Sequence, residues 1–211
     1  KQSRHPWLSS SNSSSSSSSS YSLSMELEQF ASYLYLNPEE DAVRQGILQE
    51  LNDIITSRWP SADVKCFGSY PTGLSLFYSD IDISVSNIGE LHDRPYKPMV
   101  HTENMTYQQK KYQDDVKYKS GDLLRSLYSD LRSFPWCKRS ELRSHARVPI
   151  INYEHLSGVD VDISVHVDTN TSLFIHNTSE IYKKIFLQVV TFLKCYLHYH
   201  ALDTPYNGGL S

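Results

Sequence analysis

Apolar residues recur at helical spacing at Met25, Leu27, Phe30 and Leu34, up to the Asn37-Pro38 break, and predict a short amphipathic helix. A better-marked helix follows. Asn37 can cap it, Pro38 suits its first turn, Glu40 stands where a capping box needs it, and Val43, Ile47, Leu48, Leu51, Ile54 and Ile55 form one apolar face that ends by Trp59-Pro60. The period then shortens to two. Residues 62–67 read as a strand leading into Gly68-Ser69, residues 80–87 as a second strand of strict alternation, and 147–153 and 159–167 as two more. The long polar stretch 88–146 holds one helix, on which Leu123, Leu124, Leu127, Tyr128 and Leu131 share a face, and its remainder reads as an insertion. From Ser179 to about Ala201, Ile181, Ile185, Val189, Phe192, Leu193 and Tyr196 mark a long helix running toward Gly208-Gly209, the opening of a second unit.

Residues 9–20 are all serine except Asn12, a tract with nothing to bury against its ordering entropy, so 1–24 is expected to be a disordered tail. The chain's 211 residues suffice for one ordinary domain or a small domain plus part of another. Hydrophobic residues make up 39% and the mean hydropathy is -0.47, values of a globular chain diluted by polar segments. No run approaches the roughly 18 apolar residues of a membrane span. A net charge of -4 means that a nucleic-acid partner would have to be held by a local patch. Cys66, Cys137 and Cys195 are odd in number and widely spaced, which fits neither a disulfide framework nor a zinc or CxxC pattern and points to a reducing compartment. Without an initiator Met or a charged-then-apolar leader, the sequence reads as a fragment with no sign of secretion.

Two strands carry the candidate chemistry. In SDIDISV, Asp80, Asp82 and Ser84 alternate with Ile81, Ile83 and Val85, so the carboxylates project from one face. VDVDISV repeats the pattern with Asp160, Asp162 and Ser164. If the two strands are neighbours, up to four carboxylates meet, and like charges held together raise their own pKa values unless cations neutralise them. An oxygen-only ligand set without Cys or His favours magnesium or manganese. Gly68-Ser69, followed by a segment 70–76 able to form one or two helical turns, is a candidate anion site through free amides and the Ser69 hydroxyl. Arg132, Lys138, Arg139, Arg143 and Arg147, with Glu141 among them and Phe134 and Trp136 interleaved, read equally as an RNA track or a solvated basic loop; Lys110 and Lys111 beside Tyr107 and Tyr112 read as solvated surface first.

FGSYPTGLSLFYSDIDISV resembles the signature of the DNA polymerase beta-like nucleotidyltransferases. WPSADVKCFGS, ARVPIINYEHLSGVDVDISV, HNTSEIYKKI and LKCYLHYHALDTPYNGGLS narrow the resemblance to the non-canonical poly(A) polymerases, the polymerase-sigma branch, over roughly residues 25–211 apart from the insertion. The resemblance implies an α/β (α+β) palm with a small mixed sheet flanked by helices, a catalytic domain at 25–178, and the start of a helical central domain at 179–211. It implies Asp80, Asp82 and Asp162 as a catalytic, metal-binding triad for two Mg2+ or Mn2+ ions, a choice of Asp162 over Asp160 that alternation alone leaves open. It further implies nucleotide contacts by Gly68, Ser69, Asn177, Lys194 and Ser211; by composition alone Asn177 could equally cap a helix. The implied activity is addition of AMP from ATP to RNA 3′ ends, with a terminal uridylyltransferase or an inactive RNA-binding scaffold as alternatives. The implied partners are an RNA 3′ end, an NTP, an RNA helicase and a zinc-knuckle RNA-binding protein, in the nucleus or, as an alternative, the cytoplasm.

Overall fold

A computed structural model describes residues 22–88, 106–146, 148–167 and 169–203. The chain forms α1 (Leu23–Leu34), α2 (Pro38–Arg58), β1 (Asp63–Phe67), β2 (Ile81–Ser86), α3 (Tyr107–Leu131), β3 (Cys137–Arg143), β4 (Ile150–His155), β5 (Asp160–Val165) and α4 (Asn170–Tyr199). The strands build one mixed sheet in the order β1-β2-β5-β4-β3, parallel between β2 and β5 and antiparallel elsewhere. This is the expected α+β arrangement of a small mixed sheet flanked by helices.

Alternation gives the sheet two unlike faces. Ile81, Ile83, Val85, Ile151, Tyr153, Val161, Ile163 and Val165 form one face, buried with Ile47, Leu51 and Ile55 of α2 and Val116, Leu124, Leu127 and Leu131 of α3. Asp82, Asp162, Asn152 and Glu141 occupy one row of the opposite face, since each is the register partner of the next. The α2 capping box is formed: the Asn37 side chain accepts from the Glu40 amide and Glu40 accepts from the Asn37 amide.

Several boundaries differ from the sequence expectations, each for a local reason. Helix α1 begins inside the segment expected to be disordered, because the Ser22 hydroxyl accepts from the Met25 amide and caps it; residues 1–21 lie outside the described residues. The strand expected from residue 147 begins at Ile150, after Pro149, which has no amide to give to a ladder. The segment expected to be an insertion is structural where it is described. Helix α3 is 25 residues long and fills the core, and β3 is a full edge strand whose alternation of charged and half-buried residues hid it. Helix α4 begins at Asn170 rather than Ser179, so the expected boundary at 178/179 falls inside a helix. The Thr178 and Ser179 hydroxyls donate to the carbonyls of Phe174 and His176, a bonding pattern of serine and threonine within helices, and not the start signal they resemble. None of the described helices is long and apolar enough to cross a membrane.

Because Leu127 is fully buried between α3 and the sheet, Leu127→Ala is expected to cost about 2–5 kcal/mol. Urea unfolding measures it as a lowered midpoint, and a change near zero would return α3 to the status of an appended insertion.

Candidate active site

Strands β2 and β5 run side by side in register, with Asp82 opposite Asp162 and Ser84 opposite Ser164. Asp80 stands one residue before β2, and one carboxylate oxygen from each of Asp80, Asp82 and Asp162 lies within 4.8 Å of the others. The structure brings these three together. Asp160 pairs in register with Glu154 at the exposed end of β5 and stays outside the group.

Crowding shows in the acid–base balance of the group. Burial pushes the Asp82 carboxyl up to about 7, with the charges of Asp80 and Asp162 adding to the shift and the Lys194 ammonium opposing it. Asp80 and Asp162 are raised as well, first by burial. Asn152 on β4 donates to Asp162 Oδ1 at 2.7 Å and partly offsets the rise there. The Lys194 amine of α4 is half-buried, donates to the Leu74 carbonyl at 2.9 Å, and is lowered by burial while Asp80 and Asp82 pull it back up. An all-carboxylate set with raised pKa values, sharing one lysine, suits a hard divalent cation better than an empty solvated face.

Gly68 is required at its position twice over. Its φ of +73° is costly for other residues, and a Cβ there would overlap Asp82 Oδ2 and stand 3.0 Å from Asp82 Cγ. Residues 68–73 form turns, so the helical start expected over 70–76 does not form. The Gly68 amide donates instead to the Ser172 hydroxyl of α4 at 2.8 Å, and Thr72, buried, donates to the carbonyls of Gly68 and Ser69. Ser69 is half-buried in this turn. Asn177 is exposed within α4, which removes its reading as a helix cap, and Ser211 lies outside the described residues.

Sequence reasoning missed three residues that hold the site. Asn152 and Ser172 sit on elements far from the motif in sequence. Arg44, buried on α2, sends Nη2 to the carbonyls of Phe77 at 3.1 Å and Ser79 at 3.0 Å, bracing the loop that delivers Asp80. The one signal available was an arginine flanking the apolar face of α2, which the apolar count passed over.

The basic segment is sorted by the structure. Arg139, Glu141 and Arg143 lie on the face that carries Asp162, whereas Phe134 and Trp136 stack on each other and Trp136 packs against Tyr153 of the core. Arg147 lies outside the described residues, and Lys110 and Lys111 are exposed at the start of α3. The three cysteines are free thiols.

An unfolded aspartate ionises near 3.8, whereas folded Asp82 holds its proton to about 7. Between those values the folded state binds more protons, so the metal-free protein loses stability through this group as pH rises from about 4 to about 7. Asp82→Asn is therefore expected to raise the melting temperature by several degrees above pH 7 and to change it little at pH 4, in thermal scans with chelator present. Gly68→Ala is expected to lower stability by at least about 1 kcal/mol from backbone strain alone, read from the same scans.

Comparisons with known proteins bear on the family and the fold. Residues 23–182 match the family described as poly(A) RNA polymerase, mitochondrial-like, central palm domain. The chain is 27% identical over 218 residues to Poly(A) RNA polymerase protein 1 of Eremothecium gossypii, covering 98% of the chain and 29% of that protein. It is 47% identical over 60 residues to an inactive non-canonical poly(A) RNA polymerase protein of Drosophila melanogaster, 28% of the chain and 15% of that protein. Its fold superposes on the polymerase core of TRAMP, an RNA surveillance complex, with a TM-score of 0.66 and 26% identity over 90% of the chain and 51% of that core. The chain thus spans less than a third of the curated relatives' length. With a match to 160 consecutive residues that include both acidic strands, the chain belongs to the poly(A) RNA polymerase, mitochondrial-like, central palm domain family.

Proposed function

We propose that the chain is the catalytic palm of an RNA 3′-end nucleotidyltransferase that adds AMP from ATP, with Asp80, Asp82 and Asp162 as its catalytic metal ligands. The observation that carries this reading is the convergence of those three carboxylates within 4.8 Å on the open face of the sheet. Divalent ions, Mg2+ or Mn2+, would supply charge neutralisation at the phosphates and a lowered pKa of the attacking 3′-hydroxyl. The chain's own residues do the rest. Asp162 is held in place by the Asn152 amide, which donates to its Oδ1. The Lys194 ammonium, within electrostatic reach of Asp80 and Asp82, is placed for the triphosphate. Gly68 and Ser69 form a tight turn against Asp82, and Ser172, which accepts from the Gly68 amide, keeps its own proton to donate to a phosphate oxygen. Asn177 of α4 and Ser211 complete the proposed nucleotide contacts.

The proposed partners are an RNA 3′ end, an NTP and, in line with the likeness to a core of an RNA surveillance complex, a helicase and a zinc-knuckle protein in the nucleus. Helix α4 exposes Leu173, Phe174, Ile181, Tyr182 and Ile185, and the proposed domain reading takes its part from Ser179 onward, with the residues to 211, as the start of a helical central domain. The inactive relative favours a second reading, an RNA-binding scaffold without chemistry. Against it stands the triad, since an unused acidic cluster contributes only repulsion.

Primer extension of a labelled RNA with Mg2+ or Mn2+ and each NTP separately tests the proposal. Tails from ATP are expected, with Asp80→Ala/Asp82→Ala lowering the rate by roughly a thousandfold or more. Lys194→Ala is expected to raise the KM for ATP about tenfold, since a charge-assisted contact to phosphate is lost. Tails from UTP alone would move the chain to the uridylyl reading, and extension insensitive to the double substitution would remove the triad from the chemistry.

A further inference from the structure

The open face of the sheet is charged unevenly. Gly68, Lys194 and Ser172 gather on the β1 and α4 side of the carboxylates. On the other side lie β4 and then β3, the edge strand. Register fixes what β3 presents: Leu142 pairs with buried Ile151 and Ser140 with buried Tyr153, so Arg139, Glu141 and Arg143 face the open side, with Glu141 in line with Asn152 and Asp162. At a strand spacing of about 4.8 Å, that row puts β3 about 10 Å from β5.

Arg139 and Arg143 are not isolated cations. Arg139 and Lys138 both pair with Glu154, and Arg143 pairs with Glu141 at 2.8 Å and is close enough to influence Asp162. Together with Arg132, four cations meet two carboxylates along this edge, in a chain whose net charge is -4. Arg132, Lys138 and Arg139 also line a polar concavity of about 360 Å³ beside Tyr128 and Ser140. The Arg139 and Arg143 side chains are 79% and 48% exposed and so remain accessible to a further anion, and the Arg143–Glu141 pair, exposed on both sides, is of the kind that contributes little. Trp136 packs against the core and Phe134 stacks on it, so what this edge offers among the described residues is chiefly charge.

We propose that Arg139 and Arg143 on the open side of β3, with Lys138 and Arg132 at its edge, hold the sugar-phosphate backbone of single-stranded RNA a nucleotide or two upstream of the 3′ end. The proposal rests on the RNA reading above and adds the path of the strand: triphosphate on the β1 and α4 side, RNA entering over β4 and β3, and the carboxylates between. Binding here reads charge and spacing, so it tolerates any base sequence.

Fluorescence anisotropy of a 5′-labelled RNA oligonucleotide, titrated with the chain at two salt concentrations, tests the path. Arg139→Glu/Arg143→Glu is expected to weaken binding at least about tenfold and to lower the salt slope by between one and two, while Arg139→Lys/Arg143→Lys stays within a few-fold. Lys110→Glu/Lys111→Glu is expected to change little, and urea midpoints confirm that all variants fold. Unchanged affinity in the edge variant, equal loss in the Lys110/Lys111 variant, or no RNA binding by the parent chain at low salt would each overturn the path. RNA binding lost in the edge variant of a chain that shows no metal-dependent extension would keep the path and overturn the adenylyltransferase reading. Extension abolished by the double aspartate substitution, with RNA affinity indifferent to the edge, would do the reverse.

Discussion

The in-register parallel pairing of β2 with β5 is the constraint on which the rest depends. It buries Ile81, Ile83 and Val85 beside Val161, Ile163 and Val165, and the same register forces Asp82 against Asp162 on the opposite face. Hydrophobic burial on one side therefore holds together charges that would separate if free to do so. Every other feature of the site answers that repulsion. Lys194 supplies a countercharge, Asn152 a hydrogen bond, and Gly68 the absence of a side chain where Asp82 needs room.

The elements that support the pair come from distant parts of the chain. Arg44 of α2 braces the loop before Asp80 through three carbonyls, one a longer contact to Leu76 at 3.4 Å, and α4 returns with Ser172 to Gly68 and with Lys194 to Leu74. Helix α4 is in turn seated on α1, where Phe30 meets Phe192 edge-on and Glu28 pairs with Lys184, and its last turns rest on the same loop through the stack of Tyr78 and His198. Asp203 fixes that histidine by accepting its Nδ1–H at 2.6 Å.

Much of this was legible in the sequence because it is written in short-range periodicity. The capping box at Asn37, the helical face from Ile47 to Ile55, and the two Asp-apolar-Asp strands need only neighbours to be recognised. The pairing of those strands needs the whole chain, and so does the choice between Asp160 and Asp162, which depends on where β5 begins after the turn at Gly158. Strand β3 was illegible because an edge strand with one solvated face alternates charges that read as a basic loop. The start of α4 was misplaced because serine and threonine hydroxyls can satisfy carbonyls within a helix as well as amides at its start. Asn152 and Ser172 carry no local signal, since their roles exist only across strands or between a helix and a turn.

Calorimetric titration of Mn2+ into the metal-free chain near neutral pH, in two buffers of different ionisation enthalpy, bears most directly on the claim that the fold forces these carboxylates into a cation site. The account predicts saturable binding accompanied by proton release, because Asp82 still holds part of its proton near pH 7, and loss of both the tight binding and the release in Asp82→Asn. Absence of saturable binding, or binding undiminished in that variant, would contradict it.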